Sequence, residues 1–198
     1  MVSIDTSGSD LIWKVNVDGT RDIVDLCEQH EIDRLVYVSS VHAIPEQGKG
    51  QVIKEPEQCS ASLVEGAYGK SKAEAAVYIK KAAERGLDAV IVYPSGMIGP
   101  EDYTKGYMTE VIRAYLKGYF PAAVQGEYDF ADVRDVAEGV VACAEKGRQG
   151  EGYIFKMDFG RRCRDSGVYC ETGGHGCSCS RFRNCVSDSL FSVFLMRG

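Results

Sequence analysis

Leu35-Val36-Tyr37-Val38-Ser39-Ser40 is the stretch on which the fold turns. Four consecutive apolar residues, uninterrupted by polar ones, suit a strand covered on both faces, as in a parallel sheet flanked by helices. Two serines then end the run. Upstream, Ser9 or Asp10 is expected to cap a helix reaching about Gln29, with Ile12, Val15, Ile23, Val24 and Cys27 as its apolar positions. Downstream, Pro45 to Ser62 is polar and punctuated by Pro45, Gly48, Gly50 and Pro56, so it reads as a surface loop near the strand's end. A second helix is predicted from about Tyr68 to Arg85, closed by Gly86. Ala89-Val90-Ile91-Val92-Tyr93 is the next buried strand, stopping at Pro94-Ser95-Gly96. Helices near Met108–Lys117 and Val133–Lys146 and a strand at Tyr153–Phe155 continue the alternation. Strands alternating with helices give an α/β architecture with a parallel sheet.

The chain has 198 residues, of which 44% are hydrophobic, enough to bury a core of ordinary domain size. Net charge is −6, and lysines and arginines are interspersed with acids, so no basic stripe is available for a phosphate backbone. Nucleic acid is not an expected partner. No run approaches the roughly 18 apolar residues of a membrane helix, so no membrane partner is expected either. Met1-Val2-Ser3-Ile4-Asp5 lacks the character of a signal peptide, which makes the cytoplasm the expected compartment.

Composition breaks near residue 157. Segment 158–198 contains no lysine and holds five of the eight cysteines, Cys163, Cys170, Cys177, Cys179 and Cys185. Arg161–Cys185 shows no apolar period of 2 or 3.6, hence no face that a helix or strand could bury. A zinc site built from these cysteines and His175 is one reading, but zinc sites favour C-x2-C pairs and the only close pair is C-x-C at 177 and 179. The preferred reading is a tail that is mostly disordered or poorly packed, the product of a reading-frame slip soon after Tyr153, with no metal bound. Two segments are therefore expected, 1–157 and 158–198.

Ligands of open α/β sheets bind beyond the carboxyl ends of the strands, where Ser39-Ser40 and Pro94-Ser95-Gly96 fall. Tyr68 and Lys72, four residues apart, share one helix face between those strands. A phenol titrates near 10 and carries protons poorly at neutral pH unless its anion is favoured. A nearby ammonium is expected to lower the Tyr68 pKa, leaving it able to give or take a proton at a substrate oxygen that Ser40 also hydrogen-bonds. Hydride would then move between the substrate carbon and a nicotinamide, since no side chain stores a hydride.

The pair alone means little, because a rim tyrosine beside a solvated lysine reads the same way. Order and context add to it: Asn16-Val17-Asp18-Gly19-Thr20, Leu35 to Ser40, Tyr68-Gly69-Lys70-Ser71-Lys72, Tyr93-Pro94-Ser95-Gly96-Met97-Ile98-Gly99-Pro100, and Phe130-Ala131-Asp132-Val133-Arg134-Asp135-Val136-Ala137. Taken in this order, the series resembles the extended short-chain dehydrogenase/reductases, the NAD-dependent epimerase/dehydratase group, over roughly residues 3–155. The Pro94–Pro100 loop and Val133-Arg134-Asp135 look most like the dihydroflavonol reductase-like branch, a neighbour of the steroid dehydrogenases.

The resemblance implies that Tyr68 is the acid/base and that Lys72 is its partner, also bonding the nicotinamide ribose. It implies that Ser40 orients substrate, that Asn16 helps order the site, and that Pro94 and Ser95 lie beside the nicotinamide of NAD or NADP. Asn16 also reads as a capping or helix-packing amide, Asp132 and Arg134 as substrate or structural contacts or equally as a surface ion pair, and His42 as an ordinary loop histidine in preference to a pocket residue. A small-molecule substrate is implied, and a homodimer through helices 9–29 and 68–85.

The family opens with a strand, a Gly-rich turn and a helix that grips the pyrophosphate. Gly173-Gly174-His175-Gly176 is the only glycine cluster here and has no strand signal before it. The expected fold is thus a partial Rossmann-like, doubly wound parallel sheet lacking its first βαβ half, with a raw edge prone to association. Three functions remain open: an NAD(P)-dependent oxidoreductase, a nucleotide-sugar epimerase or dehydratase of the same family, and a catalytically dead fragment that retains only the helical dimer contact.

Overall fold

The computed structural model describes residues 9–48, 51–103, 106–119, 129–156, 169–170 and 176–178. The N-terminal helical stretch is broken rather than continuous. Helix α1 (Ser9–Trp13) passes through a π turn (Lys14–Asp18) into α2 (Gly19–Gln29). This insertion shifts the helical phase, so the predicted core positions are partly corrected. Ile12, Val17, Val24 and Cys27 are buried, whereas Val15 and Ile23 are 47% and 51% exposed.

Strand β1 (Leu35–Val38) leads through a tight turn at Val41–Ala43 and the loop to α3 (Ala67–Glu84). Gly86 follows that helix at φ +115°, a conformation glycine adopts without Cβ strain. Strand β2 (Ala89–Pro94) is buried along its whole length and runs almost directly into β3 (Gly96–Ile98). Helix α4 (Tyr107–Leu116), strand β4 (Phe130–Asp132), helix α5 (Val133–Lys146) and strand β5 (Gly152–Lys156) follow.

β1, β2 and β5 pair in parallel, with Leu35 opposite Ala89 and Tyr93 opposite Ile154. Side-chain alternation along these strands makes two cores. Ala89, Ile91, Tyr93 and Ile154 pack with Val24 of α2 and Ala76 and Ile79 of α3, while Val90, Val92, Tyr153 and Phe155 pack with Val136 and Cys143 of α5. The sheet is therefore helix-covered on both faces, a partial Rossmann-like arrangement.

Two features differ from the sequence reading. β1 is an edge strand, so it is only half-buried, and Val38 is 41% exposed. Its outer side borders an open groove of about 360 Å³ lined by Val15, Ile23, Leu35, Tyr37 and Ile79, which accounts for the exposure of Val15 and Ile23. Second, residues within 161–185 do form strands: β6 (Tyr169–Cys170) and β7 (Gly176–Ser178) extend the sheet beyond β5. Backbone pairing on an open strand edge needs no apolar period, which is why pattern reading missed them. Of the cysteine–histidine set considered for zinc, Cys170 and Cys177 oppose each other in this pairing. Cys163, His175, Cys179 and Cys185 lie outside the described residues. No cluster of metal-ligating side chains occurs among the described residues, and none of their helices is long and apolar enough to cross a membrane.

Candidate active site

The site forms where β1 ends. Ser40 is extended (φ −161°, ψ 154°), and its Oγ accepts a hydrogen bond from His42 N at 3.3 Å, capping the Val41–Ala43 turn. The first turn of α3 lies against this turn with almost no gap. A Cβ at Gly69 would come within 2.6 Å of the His42 carbonyl oxygen, so only glycine allows the approach. Tyr68 is thereby brought to Ser40, whose side chain hydrogen-bonds its phenol, and to His42, whose ring meets it edge-on at 6.2 Å between centroids.

Asn16 acts from the π turn. Its Nδ2 donates to Ser71 Oγ at 3.0 Å, and Ser71 Oγ donates to the Tyr68 carbonyl at 2.8 Å. This chain ties the helical break to the start of α3. Thr20 Oγ1 donates to the Asn16 carbonyl at 2.7 Å, covering an acceptor within the π turn.

Lys72, one turn along from Tyr68, donates to the Val38 carbonyl at 3.0 Å and sits 5.2 Å from the centroid of the Tyr37 ring. Burial pushes the Tyr68 phenol above its ordinary value, opposed by the Ser40 hydrogen bond. Burial likewise holds Lys72 below its ordinary value. The expected lowering of Tyr68 by Lys72 is not found: loss of water disfavours both charged forms, Ser40 and not Lys72 is what draws the phenol down, and the ammonium is engaged by Val38 and Tyr37.

Pro94 and Ser95 stand at the carboxyl end of β2, the neighbouring strand. Ser95 N donates to the Phe155 carbonyl at 2.9 Å, but its Oγ is buried and finds no hydrogen-bond partner among the described residues. An unpaired buried hydroxyl at a strand's carboxyl end is an unusual cost that a ligand hydrogen bond would relieve. Together with Tyr68 and Lys72, it gives a donor and acceptor set that fits the nicotinamide and ribose end of NAD or NADP. No Gly-rich turn that could cradle a pyrophosphate occurs among the described residues.

Arg134 is not brought to this cluster by any described contact. Asp132 caps α5, accepting from Arg134 N at 2.8 Å, and the Arg134 guanidinium grips the same carboxylate through Nε at 2.9 Å and through Nη2. The Asp132 side chain is fully buried, so this is a helix-start clamp rather than a loose surface pair. Tyr37, Gly69 and Ser71 were missed by sequence reasoning. Of these, only Gly69 carried a signal, as a glycine inside a predicted helical turn.

A family model described as the NAD dependent epimerase/dehydratase family matches residues 4–156. A putative dihydroflavonol 4-reductase from Synechocystis sp. is 38% identical over 147 residues, 72% of this chain and 43% of that protein. Among solved structures, gox2253 is 31% identical with a TM-score of 0.72, covering 80% of this chain and 47% of that one. The dTDP-glucose 4,6-dehydratase of Bacillus anthracis, solved in complex with NAD, is 23% identical with a TM-score of 0.62, covering 73% and 47%, and shares the fold. The chain thus spans less than half the length of each of these relatives. With the ordered segments, the two-faced parallel sheet and these matches in agreement, the chain belongs to the NAD-dependent epimerase/dehydratase family of extended short-chain dehydrogenase/reductases.

Proposed function

We propose that the protein is an NAD(P)-dependent oxidoreductase that interconverts a carbonyl and a hydroxyl on a small molecule, with Tyr68 as acid/base. The observation that carries this reading is the convergence of Ser40, Tyr68 and Lys72 at the carboxyl end of β1. The nicotinamide cofactor supplies or accepts the hydride. The hydrogen bond between the Ser40 and Tyr68 side chains supports a site in which a substrate oxygen would accept from both hydroxyls. In reduction Tyr68 gives its proton to that oxygen as the carbon gains hydride. In oxidation the phenolate takes the proton back. Lys72 and the unpaired Ser95 hydroxyl would hold the ribose and nicotinamide, with Pro94 limiting the space beside them. His42, edge-on to Tyr68, would border the substrate. The Arg134 guanidinium, held by Asp132, would reach substrate only by sharing that carboxylate.

Tyr68→Phe tests this directly. It should lower turnover by about 10²–10⁴-fold, the usual contribution of a positioned acid or base, while cofactor affinity stays within about twofold. A variant that turns over at the normal rate rules out the acid/base role.

For partners, we infer a homodimer through helices 9–29 and 68–85. Leu11 and Leu26, exposed on α1 and α2 outside the groove beside β1, support it.

A further inference from the structure

Lys72 is in an unusual position for an ammonium. Burial alone shifts its titration downward, with no charged group contributing. Among the described residues it forms no ion pair; it has one carbonyl, Val38 O at 3.0 Å, and one aromatic face, that of Tyr37 at 5.2 Å from the centroid. An ammonium partly withdrawn from water, with no carboxylate beside it, is pushed toward losing its proton unless other electron-rich groups hold it. The face of an aromatic ring is one such group, and it gains strength as water is excluded.

Tyr37 is fixed for this task from several sides. Its backbone is in register with Ile91 in the centre of the sheet. Its hydroxyl is buried beside Thr20 without a well-formed hydrogen bond to it, and burial pushes the phenol up to about 12. It therefore stays neutral, and the ring keeps its ordinary quadrupole. Thr20, in turn, is spent on the Asn16 carbonyl in the π turn.

We propose that Tyr37 is a positioning residue for Lys72, its ring face holding the ammonium against the Val38 carbonyl so that the lysine remains both charged and fixed at the end of β1. The titratable groups around this place are Tyr37 from β1, Tyr68 from α3, which also raises the Tyr37 phenol, and Tyr93 from β2, whose own phenol Tyr37 helps to raise. The inference deepens the dehydrogenase reading and rests on it for its functional meaning, but its physical content concerns two side chains alone.

The test follows the Lys72 titration directly in the full chain. Lysine is labelled with carbon-13 at Cε, and the Lys72 signal is identified as the one missing from Lys72→Arg. Position 37 then carries phenylalanine and, in turn, mono-, di- and trifluorinated phenylalanines. These keep the ring's shape while draining electron density from its face, so folding is not put at risk as it would be in Tyr37→Leu. Phenylalanine should leave the Lys72 midpoint near wild type, and the trifluorinated ring should lower it by about half a unit, with the intermediates in order. A midpoint that does not move along the series overturns the proposal, as does a full drop already in Tyr37→Phe, which would assign the effect to the hydroxyl. Tyr68→Phe turnover separates the two readings. Near-normal turnover sinks the acid/base assignment while leaving the fluorination trend standing, and a flat trend with an inactive Tyr68→Phe sinks only the role of Tyr37.

Discussion

Ser40 and Gly69 show how single residues set this site. Among the described residues, the Ser40 hydrogen bond is what draws the Tyr68 phenol downward against burial. Ser40→Ala removes it, so the Tyr68 pKa should rise further. Oxidation needs the phenolate, and its rate limb should therefore move to higher pH in the variant, while reduction, which uses the protonated phenol, keeps its rate over a wider basic range. A pH–rate profile that shifts to lower pH contradicts the assignment. Gly69→Ala should push the start of α3 away from the His42 turn, given the 2.6 Å approach to a backbone oxygen that has nowhere to move. We expect a loss of about 1–3 kcal/mol in denaturant unfolding together with reduced turnover. At this scale the sequence was legible where residue order mattered: Ser40, Tyr68 and Lys72 follow strand ends and helix starts. It was not legible for Tyr37 or Ser71, whose parts depend on which helix passes over β1 and at what height, a relation no local period encodes.

The helices show where pattern reading stops being sufficient. Val133–Lys146 was expected and observed with the same limits, because Asp132 caps it and its apolar residues keep a single period. The capping carboxylate is held below its ordinary value chiefly by the hydrogen bond from Arg134. A depressed carboxyl stabilises the fold fully above its unfolded value near 4 and loses that contribution as pH falls through the lower folded value. Asp132→Asn should thus cost about 1 kcal/mol at neutral pH, and its urea midpoint should differ less from wild type at pH 3 than at pH 7. An undiminished difference at pH 3 would mean the charge is not what stabilises this helix start. A single period of 3.6 through its apolar residues makes the first helix look continuous in sequence. One π turn breaks that period, exchanging Val15 for Val17 in the core, and also gives Asn16 its reach to Ser71. Between helices, Arg85 bonds Glu28 and Tyr78 bonds Asp25 across α2 and α3, polar links that an apolar pattern cannot announce.

The molecule as a whole has a sheet finished on its faces and open along β1. The sequence made the alternation of strands and helices plain, since β1, β2 and β5 are each short runs of apolar residues. Strand order was less accessible, as β3 and β4 pair apart from the main sheet and β6 and β7 join it by backbone alone. If the nicotinamide and ribose contacts suffice for binding, NADH or NADPH at millimolar concentration should raise the melting temperature in proportion to occupancy, and Ser95→Ala should weaken that rise. No rise with either cofactor would mean that the chain needs further structure to bind. Leu26→Glu should convert a dimer to a monomer in sedimentation equilibrium, leaving the melting temperature of the isolated chain within a few degrees. A further consequence of the open edge can be read in isotope labelling. Leu35 N and Ser39 N donate to Asp88 O and Val92 O of the adjoining chain segment, so odd-numbered amides along β1 point inward and those of Val36 and Val38 point outward. In deuterium oxide, Val36 and Val38 should exchange orders of magnitude faster than Tyr37 and Ser39, a sawtooth that flattens once any strand docks along that edge.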